Sequence, residues 1–111
     1  MKLITQASQE APFQVKEGMQ RRLLSYGGSL MMAQFSFEAG ASAPWHSHSQ
    51  EQISYIVLGE IDYCVEGQEP VRLTAGASFY VPSDVTHRVV AYAASVLVDT
   101  FTPMRDEFIN P

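Results

Sequence analysis

The three histidines are the residues whose type and spacing best suit chemistry. One residue separates His46 from His48, and His87 follows much later in the chain. Residues two apart on a β-strand point to the same side, so a strand through this segment would bring His46, His48 and Gln52 to one face. Neutral imidazole nitrogens bind divalent transition metals. If His87 lies nearby, these four side chains form a predicted metal site.

Short alternations of apolar and polar residues must supply the elements that position these side chains. Over residues 30–38, one face carries Met31, Ala33, Phe35 and Phe37, as expected for a strand with one buried side. Further strands are predicted over residues 53–58, 60–66, 71–73, 78–81, 88–92 and 95–101. About seven or eight short, evenly spaced strands predict an all-β sandwich or barrel.

Length, composition and charge restrict the class of protein. The chain of 111 residues predicts one domain, spanning residues 1–111. Seven Lys and Arg against twelve Asp and Glu give a net charge of −5, and the scattered basic residues argue against a nucleic-acid partner. The apolar stretches are too short for a membrane helix. The single Cys64 and the polar N-terminus predict a cytoplasmic protein.

The segments around the histidines resemble the two motifs of the cupin superfamily. Residues 40–59 fit the first motif, G-x5-H-x-H-x3-E-x6-G, except that Gln52 stands where most cupins carry a glutamate. Residues 76–91 resemble the second motif, G-x5-P-x-G-x2-H-x3-N, with Asp84 in place of the glycine and Ala91 in place of the asparagine. The resemblance implies a single-domain cupin, a double-stranded β-helix or jelly-roll barrel with a metal inside its mouth.

Nearly the whole chain is similar to the pectin-degradation family of single-domain cupins, through residues 21–27, 46–60 and 99–108. That family converts 4,5-unsaturated uronate monosaccharides from pectin or alginate to the linear keto-deoxy form. The resemblance implies that one divalent transition metal (Ni, Zn, Fe or Mn) is held by His46, His48, Gln52 and His87. It also implies that the site is lined by Asp99, Phe101 and Arg105.

The residue types near the C-terminus suit an anionic sugar acid as the small-molecule partner. Asp99 and Phe101 are two apart on the last predicted strand and share a face, so Asp99 is the candidate catalytic acid or base. The fork of Arg105 fits a substrate carboxylate and gives this residue a binding and a catalytic role. Four uncharged ligands leave the metal's positive charge to attract an acid. By composition alone, Asp99 also suits a solvated surface, and Arg105 an ion pair with Asp106 or Glu107.

Two other functions are compatible with the same residues. Small cupins with three histidines also bind iron and activate oxygen, so an Fe-dependent dioxygenase is one alternative. A non-catalytic cupin that binds a sugar or a metal is the other. Loss of the ultraviolet absorbance of an unsaturated uronate would distinguish the proposed enzyme from both.

Apolar residues near the N-terminus and at one strand predict a homodimer. Leu3 and Ile4, together with Met31 and Met32, could cover an exposed sheet edge in a second copy.

Two further groups of residues receive ordinary structural assignments. The aromatic residues Trp45, Tyr55 and Tyr80 are expected in the core or barrel wall. Arg21 and Arg22 are interpreted as an exposed pair, one of which could reach the pocket.

Overall fold

A computed structural model describes residues 2–111, which form nine β-strands and two short 3₁₀ turns. The strands are β1 (Phe13–Lys16), β2 (Met19–Gly27), β3 (Leu30–Phe37), β4 (Glu51–Leu58), β5 (Glu60–Val65), β6 (Val71–Thr74), β7 (Ser78–Val81), β8 (His87–Ala91) and β9 (Ser95–Thr102). The turns are Ala7–Gln9 and Asp106–Phe108. The all-β prediction is confirmed.

The strands form two antiparallel sheets. The larger sheet has the order β1-β2-β3-β9-β4-β7, and the smaller has the order β6-β5-β8. Two isolated bridges, Ser42 with Val90 and His46 with His87, extend the smaller sheet beyond β8. This arrangement is the predicted jelly-roll barrel, in which β9 lies between β3 and β4 at the centre of the larger sheet.

The core lies between the inner faces of the two sheets. On β3 the buried residues are Met31, Ala33, Phe35 and Phe37, so the alternation read from the sequence is confirmed. Each large apolar side chain buried in this way contributes roughly 1.5–3 kcal/mol through the hydrophobic effect. The inner faces of β4 and β9 differ because they also carry buried polar residues, and these define the site.

Strands β1 and β2 are absent from the sequence-based prediction, which therefore counted too few strands. Alternation fails in β2 because Arg21, a charged residue, occupies an inward position beside Met19. The register with β3 also shifts between Leu23 and Tyr26, which interrupts the period of two. β1 is a four-residue edge strand without any buried residue, so it carries little hydrophobic pattern.

Of the three aromatic residues expected in the core or barrel wall, Tyr55 and Tyr80 lie in strands of that wall, and Trp45 lies outside any strand. Trp45, Tyr55 and Tyr80 are 48–50% exposed rather than part of the core. Tyr55 and Tyr80 point outward because their strand neighbours occupy the inner positions of β4 and β7. Met31 is 1% exposed and shares the inner face of β3, so it cannot contribute to the surface contact predicted for it, whereas Met32 is exposed.

The link between the two sheets depends on Gly59, which connects β4 of the larger sheet to β5 of the smaller. Its φ of +98° lies in the left-handed region that favours glycine. A Cβ atom there would overlap with Ser95 Oγ and with the carbonyl oxygen of Ala94. The glycine that ends the first motif is therefore required for the chain to cross between the sheets.

Candidate metal centre

Three imidazole rings converge at one point between the sheets. The nitrogens that His46, His48 and His87 offer as ligands all lie within 4.8 Å of one another. His46 and His87 face each other across a backbone bridge, with hydrogen bonds of 2.9 and 3.1 Å in the two directions. Their ring centroids are 4.3 Å apart. The backbone therefore brings together the two motifs that are distant in sequence.

The Nδ1 atom of each histidine is hydrogen bonded to a backbone carbonyl. A carbonyl oxygen can only accept, so each Nδ1 carries the proton and each Nε2 presents its lone pair. Such bonds fix the tautomer and the ring orientation that a metal requires. The three bonds are His46 Nδ1 to Pro44 O (2.8 Å), His48 Nδ1 to Gln50 O (3.0 Å) and His87 Nδ1 to Val85 O (2.8 Å).

The Nε2 atom of His87 is the strongest sign of a cation site. It is buried and has no hydrogen-bond partner among residues 2–111. Leaving a buried acceptor unpaired costs about 1–3 kcal/mol, unless another group binds it. Burial also lowers the pKa of His87 to about 4, and the bond to Val85 opposes this only in part. Burial likewise lowers the pKa of His46. Both rings are therefore neutral near pH 7, the form that binds a metal.

Gln52 completes the arrangement from the start of β4. Its Oε1 lies 3.0 Å from His48 Nε2, so two acceptors face each other, as they would around a shared cation. Its Nε2 donates to Ser54 Oγ at 2.8 Å and to Asp99 Oδ2 at 3.3 Å, which holds the amide oxygen toward the histidines. The residues present therefore fit a divalent metal with four uncharged ligands.

The predicted continuous strand through the histidines and Gln52 is wrong. His46 belongs to the bridge with the smaller sheet, His48 lies outside any strand, and β4 begins at Glu51 in the larger sheet. The chain must leave the strand geometry here because it passes from one sheet to the other. The side chains nevertheless meet, with Gln52 buried and Glu51 exposed.

Asp99 lies at the centre of the larger sheet, beside the amide of Gln52. It faces Ser54 across the β4–β9 pair, as Phe101 faces Gln52, so the register places these four side chains together. Asp99 is buried, and its Oδ1 has no partner among residues 2–111. Burial raises the pKa of Asp99 to about 7, against the opposing effects of the Ser54 hydrogen bond and the charge of Arg105. A carboxyl group with such a pKa can gain or lose a proton near neutral pH.

Phe101 and Arg105 lie next to Asp99, where the chain leaves β9. The ring of Phe101 is fully buried, with its centroid 5.8 Å from that of His48. The guanidinium of Arg105 lies 5.4 Å from the Phe101 centroid. Arg105 Nε also donates to Glu107 Oε1 at 2.8 Å. The alternative assignment of Arg105 to an ion pair and its place beside the site are thus both observed.

One cavity of about 250 Å³ connects these groups, and we call it the central cavity. Its volume lies just below the range of about 300–1,000 Å³ that is usual for ligand pockets, which suits a small molecule. The residues singled out from the sequence that line it are His46, Gln52, His87, Asp99, Phe101 and Arg105. His48 is the candidate ligand that does not line it.

Sequence reasoning assigned no site role to Phe108, and it named Arg21 only as one of two arginines of which one could reach the pocket, whereas both residues line the central cavity. Arg21 is 8% exposed, which corrects its assignment to an exposed pair with Arg22. Its guanidinium lies 3.9 Å from the centroid of Phe108, a residue of the C-terminal 3₁₀ turn. The available signal was its spacing of two from Met19, which places both side chains on the inner face of β2.

The sequence of the chain is similar to those of known proteins over most of its length. Residues 33–99 match the family model of the cupin domain. Over 102 residues the chain is 30% identical to the pectin degradation protein KdgF of Dickeya dadantii, covering 90% of this chain and 93% of that protein. The chain belongs to the cupin superfamily and to its pectin-degradation family. The resemblance predicted from the motifs is confirmed.

Two solved cupin structures are similar over almost the whole chain. An RmlC-like cupin from Shewanella frigidimarina is 34% identical, with a TM-score of 0.91, covering 97% of this chain and 96% of that one. KdgF from Halomonas sp. is 30% identical, with a TM-score of 0.90, covering 97% and 99%. The cupin fold is therefore established for the described residues.

Asp84, which replaces a glycine of the second cupin motif, keeps the backbone conformation of a glycine. Its φ is +65°, in the left-handed region. Its backbone N–H donates to the carbonyl oxygen of His48 at 2.8 Å. This hydrogen bond ties the segment before His87 to the first motif of the cupin, so the departure from the motif changes the residue type without changing the local path.

The two helical turns within residues 2–111 lack the length and hydropathy of a segment that could cross a bilayer.

Proposed function

We propose that this cupin is a metal-dependent enzyme that converts 4,5-unsaturated uronate monosaccharides, from pectin or alginate breakdown, to the linear keto-deoxy form. The observation that carries the proposal is the unpaired Oδ1 of buried Asp99, a residue that lines one cavity together with Arg105 and three of the four candidate ligands, His46, His87 and Gln52. Similarity to two proteins named KdgF, one of them a pectin degradation protein, supports the choice of substrate.

The ligand set defines what the metal would contribute. His46, His48, His87 and Gln52 would hold one divalent ion, and their donor types suit Ni, Zn, Fe and Mn alike. Such an ion supplies Lewis-acid polarisation of substrate oxygens when bound. Because all four ligands are uncharged, the protein leaves the ion's charge available to an anionic substrate.

The proposed reaction is an isomerisation that needs one proton moved. The C1 hydroxyl of the cyclic substrate loses its proton, the bond from C1 to the ring oxygen breaks, and C1 becomes an aldehyde. The released enolate becomes a ketone at C5 as C4 gains a proton. Asp99 is the group proposed to take and return this proton, since it lines the cavity and its Oδ1 has no hydrogen-bond partner among residues 2–111. A positioned carboxyl group typically contributes 10²–10⁴-fold in this role.

The remaining lining residues would orient the substrate. The buried ring of Phe101, whose centroid is 5.8 Å from that of His48, would supply an apolar wall beside the substrate. Arg105 keeps donors besides the Nε bonded to Glu107, so it can also contact the acid. Both residues reach the cavity because β9 and the chain that follows it run along its edge.

The test follows the ultraviolet absorbance of a 4,5-unsaturated monouronate in the presence of metal-loaded and metal-stripped protein. Loaded wild type should consume the substrate, and stripped protein should not. Asp99→Asn should lose at least about 100-fold in rate while its metal content stays unchanged. Full activity in Asp99→Asn would remove Asp99 from the mechanism. No consumption by loaded wild type would refute the proposed function and favour a binding cupin or, with oxygen uptake, a dioxygenase.

We also propose a homodimer through the outer face of the larger sheet, which keeps Met32 of the residues predicted from the sequence and leaves out buried Met31. Met32, Thr100, Ile53 and Tyr80 lie side by side across β3, β9, β4 and β7. Three of them are large hydrophobic residues at least 39% exposed. Two copies of net charge −5 repel, so a second copy fits best at these four uncharged residues, where the neighbouring carboxylate of Glu51 is hydrogen bonded to the Tyr80 hydroxyl. A cytoplasmic location remains a prediction, which cell fractionation would test.

A further inference from the structure

We infer that Arg21 is the residue of the central cavity that binds the carboxylate of the substrate, an inference that rests on the proposed function. Arg21 lies on β2 and is almost completely buried, yet it lines the central cavity. No Asp or Glu of residues 2–111 forms an ion pair with it. A buried guanidinium without an anion is rare, because its desolvation is not compensated.

Aromatic contacts hold Arg21 in place without satisfying its donors. The guanidinium carbon lies 3.9 Å from the centroid of Phe108 and 4.7 Å from that of Phe13. Such rings stabilise a cation by their π faces but offer no lone pair to the five N–H donors of the fork. The aromatic contacts therefore fix the position of Arg21 and leave its hydrogen-bonding capacity for a ligand in the cavity.

The second arginine of the cavity is less available than Arg21. Arg105 Nε is taken by Glu107, whose carboxylate compensates part of its charge. Arg105 also lies 4.3 Å from the centroid of Phe108, so two cations share one ring. Burial lowers the pKa of Arg21, and the charge of Arg105 lowers it by more than the charge of Glu107 raises it. Two guanidinium groups beside one ring therefore favour an anion, and the guanidinium without an ion pair is its best binding partner.

The register places Arg21 at the end of the cavity away from the metal ligands. Arg21 lies opposite Phe35 on β3, and Phe35 lies opposite Leu97 on β9. Neighbouring strands are about 4.8 Å apart, so the backbone of Arg21 is about 10 Å from β9, and Gln52 is one strand further. A ligand whose carboxylate contacts Arg21 can then extend past Asp99 toward the histidines.

Calorimetry with a stable uronate tests this inference without turnover. Metal-loaded wild type should bind D-galacturonate at least about 10-fold more tightly than D-galactose, since charge-assisted bonds contribute that much or more. Arg21→Gln should weaken D-galacturonate binding about 10- to 100-fold and leave D-galactose unchanged. Arg21→Lys, which keeps the charge without the fork, should fall between them. If Arg21→Gln does not fold, an affinity for D-galacturonate in Arg21→Lys equal to wild type would overturn the inference.

Arg22→Gln is the matched control, because Arg22 is the next residue of β2 and its Nε donates to the carbonyl oxygen of Glu10 instead. It should bind both sugars as wild type does. Equal D-galacturonate binding in wild type and Arg21→Gln would overturn the inference, as would a wild type that does not prefer the acid or gives no binding heat. With an unsaturated uronate, Arg21→Lys should raise KM and preserve kcat. Failure of wild type to consume that substrate would refute the proposed function and leave the calorimetric result to decide the role of Arg21.

Discussion

Replacing Asp99 by Asn should change how the stability of the metal-free protein depends on pH. Burial raises the pKa of Asp99 from 3.8 to about 7. A group with a raised pKa in the folded state contributes stability that is fully present below pH 3.8 and is lost as the pH rises through about 7. A shift of about 3 units corresponds to about 4 kcal/mol. An asparagine side chain cannot ionise, so the variant should lack this loss.

Chemical denaturation of chelator-treated protein at a series of pH values between 4 and 8 measures the effect. The informative quantity is the free energy of unfolding of wild type minus that of Asp99→Asn, which should fall by up to about 4 kcal/mol across the series. The difference removes the contributions that other titrating groups make equally to the free energy of unfolding of both proteins. One such group is His87, whose lowered pKa makes stability rise with pH over part of the same range. The exposed Asp106→Asn is the control for removal of a carboxylate at the surface.

The result that would refute the reasoning is a constant difference between wild type and Asp99→Asn over the whole pH series. Burial would then not disfavour the charged carboxylate, and the position of Asp99 beside Gln52 and Ser54 would have another explanation. A difference that grows with pH in favour of wild type would contradict the sign as well.

Three further predictions concern the metal, a backbone position and the dimer. A divalent metal at a free concentration 100 times Kd should raise the free energy of unfolding by about 2.7 kcal/mol. His87→Ala should lose this gain in a thermal-shift titration. An equal gain in the variant would exclude His87 as a ligand. Asp84→Ala should lower the free energy of unfolding, measured by urea titration, by about 1 kcal/mol, because alanine tolerates the left-handed φ of this position less well than aspartate. Asp84→Gly should stay near wild type in the same titration. Equal values for the two variants would contradict this account. Ile53→Glu should convert a dimer to a monomer in analytical ultracentrifugation without loss of folding, and an unchanged mass would show that copies do not meet at the outer sheet face.

The sequence predicts the fold well where one side of a strand is apolar throughout. The inward residues of β3 are Met31, Ala33, Phe35 and Phe37, so the period of two is visible without the structure. β2 is hidden because its inward face carries Arg21, and a charged residue in the sequence is expected to be solvated. Its partners, Phe108 and the opposite strands, come from distant parts of the chain, so local pattern could not reveal the burial.

The candidate ligands are predictable for a different reason. The motif spacing identifies His46, His48, Gln52 and His87, and the structure brings them together although the strand assumed for them is broken. The unpaired Oδ1 of Asp99 could not be predicted, since it depends on the register of β4 against β9. The type of a side chain shows whether it can bind a metal or transfer a proton. Whether it has a hydrogen-bond partner in the folded protein depends on the pairing of strands.

The bridge between His46 and His87 makes the geometry of the candidate metal ligands independent of the residues proposed to bind the acid. Their backbone hydrogen bonds hold the two rings beside each other, although about forty residues separate them along the chain. The cavity is also lined by β2 and the C-terminal turn, which contribute none of the four candidate ligands. Substitutions in β2 and the C-terminal turn can therefore change which acid is bound without changing the residues that would hold the metal.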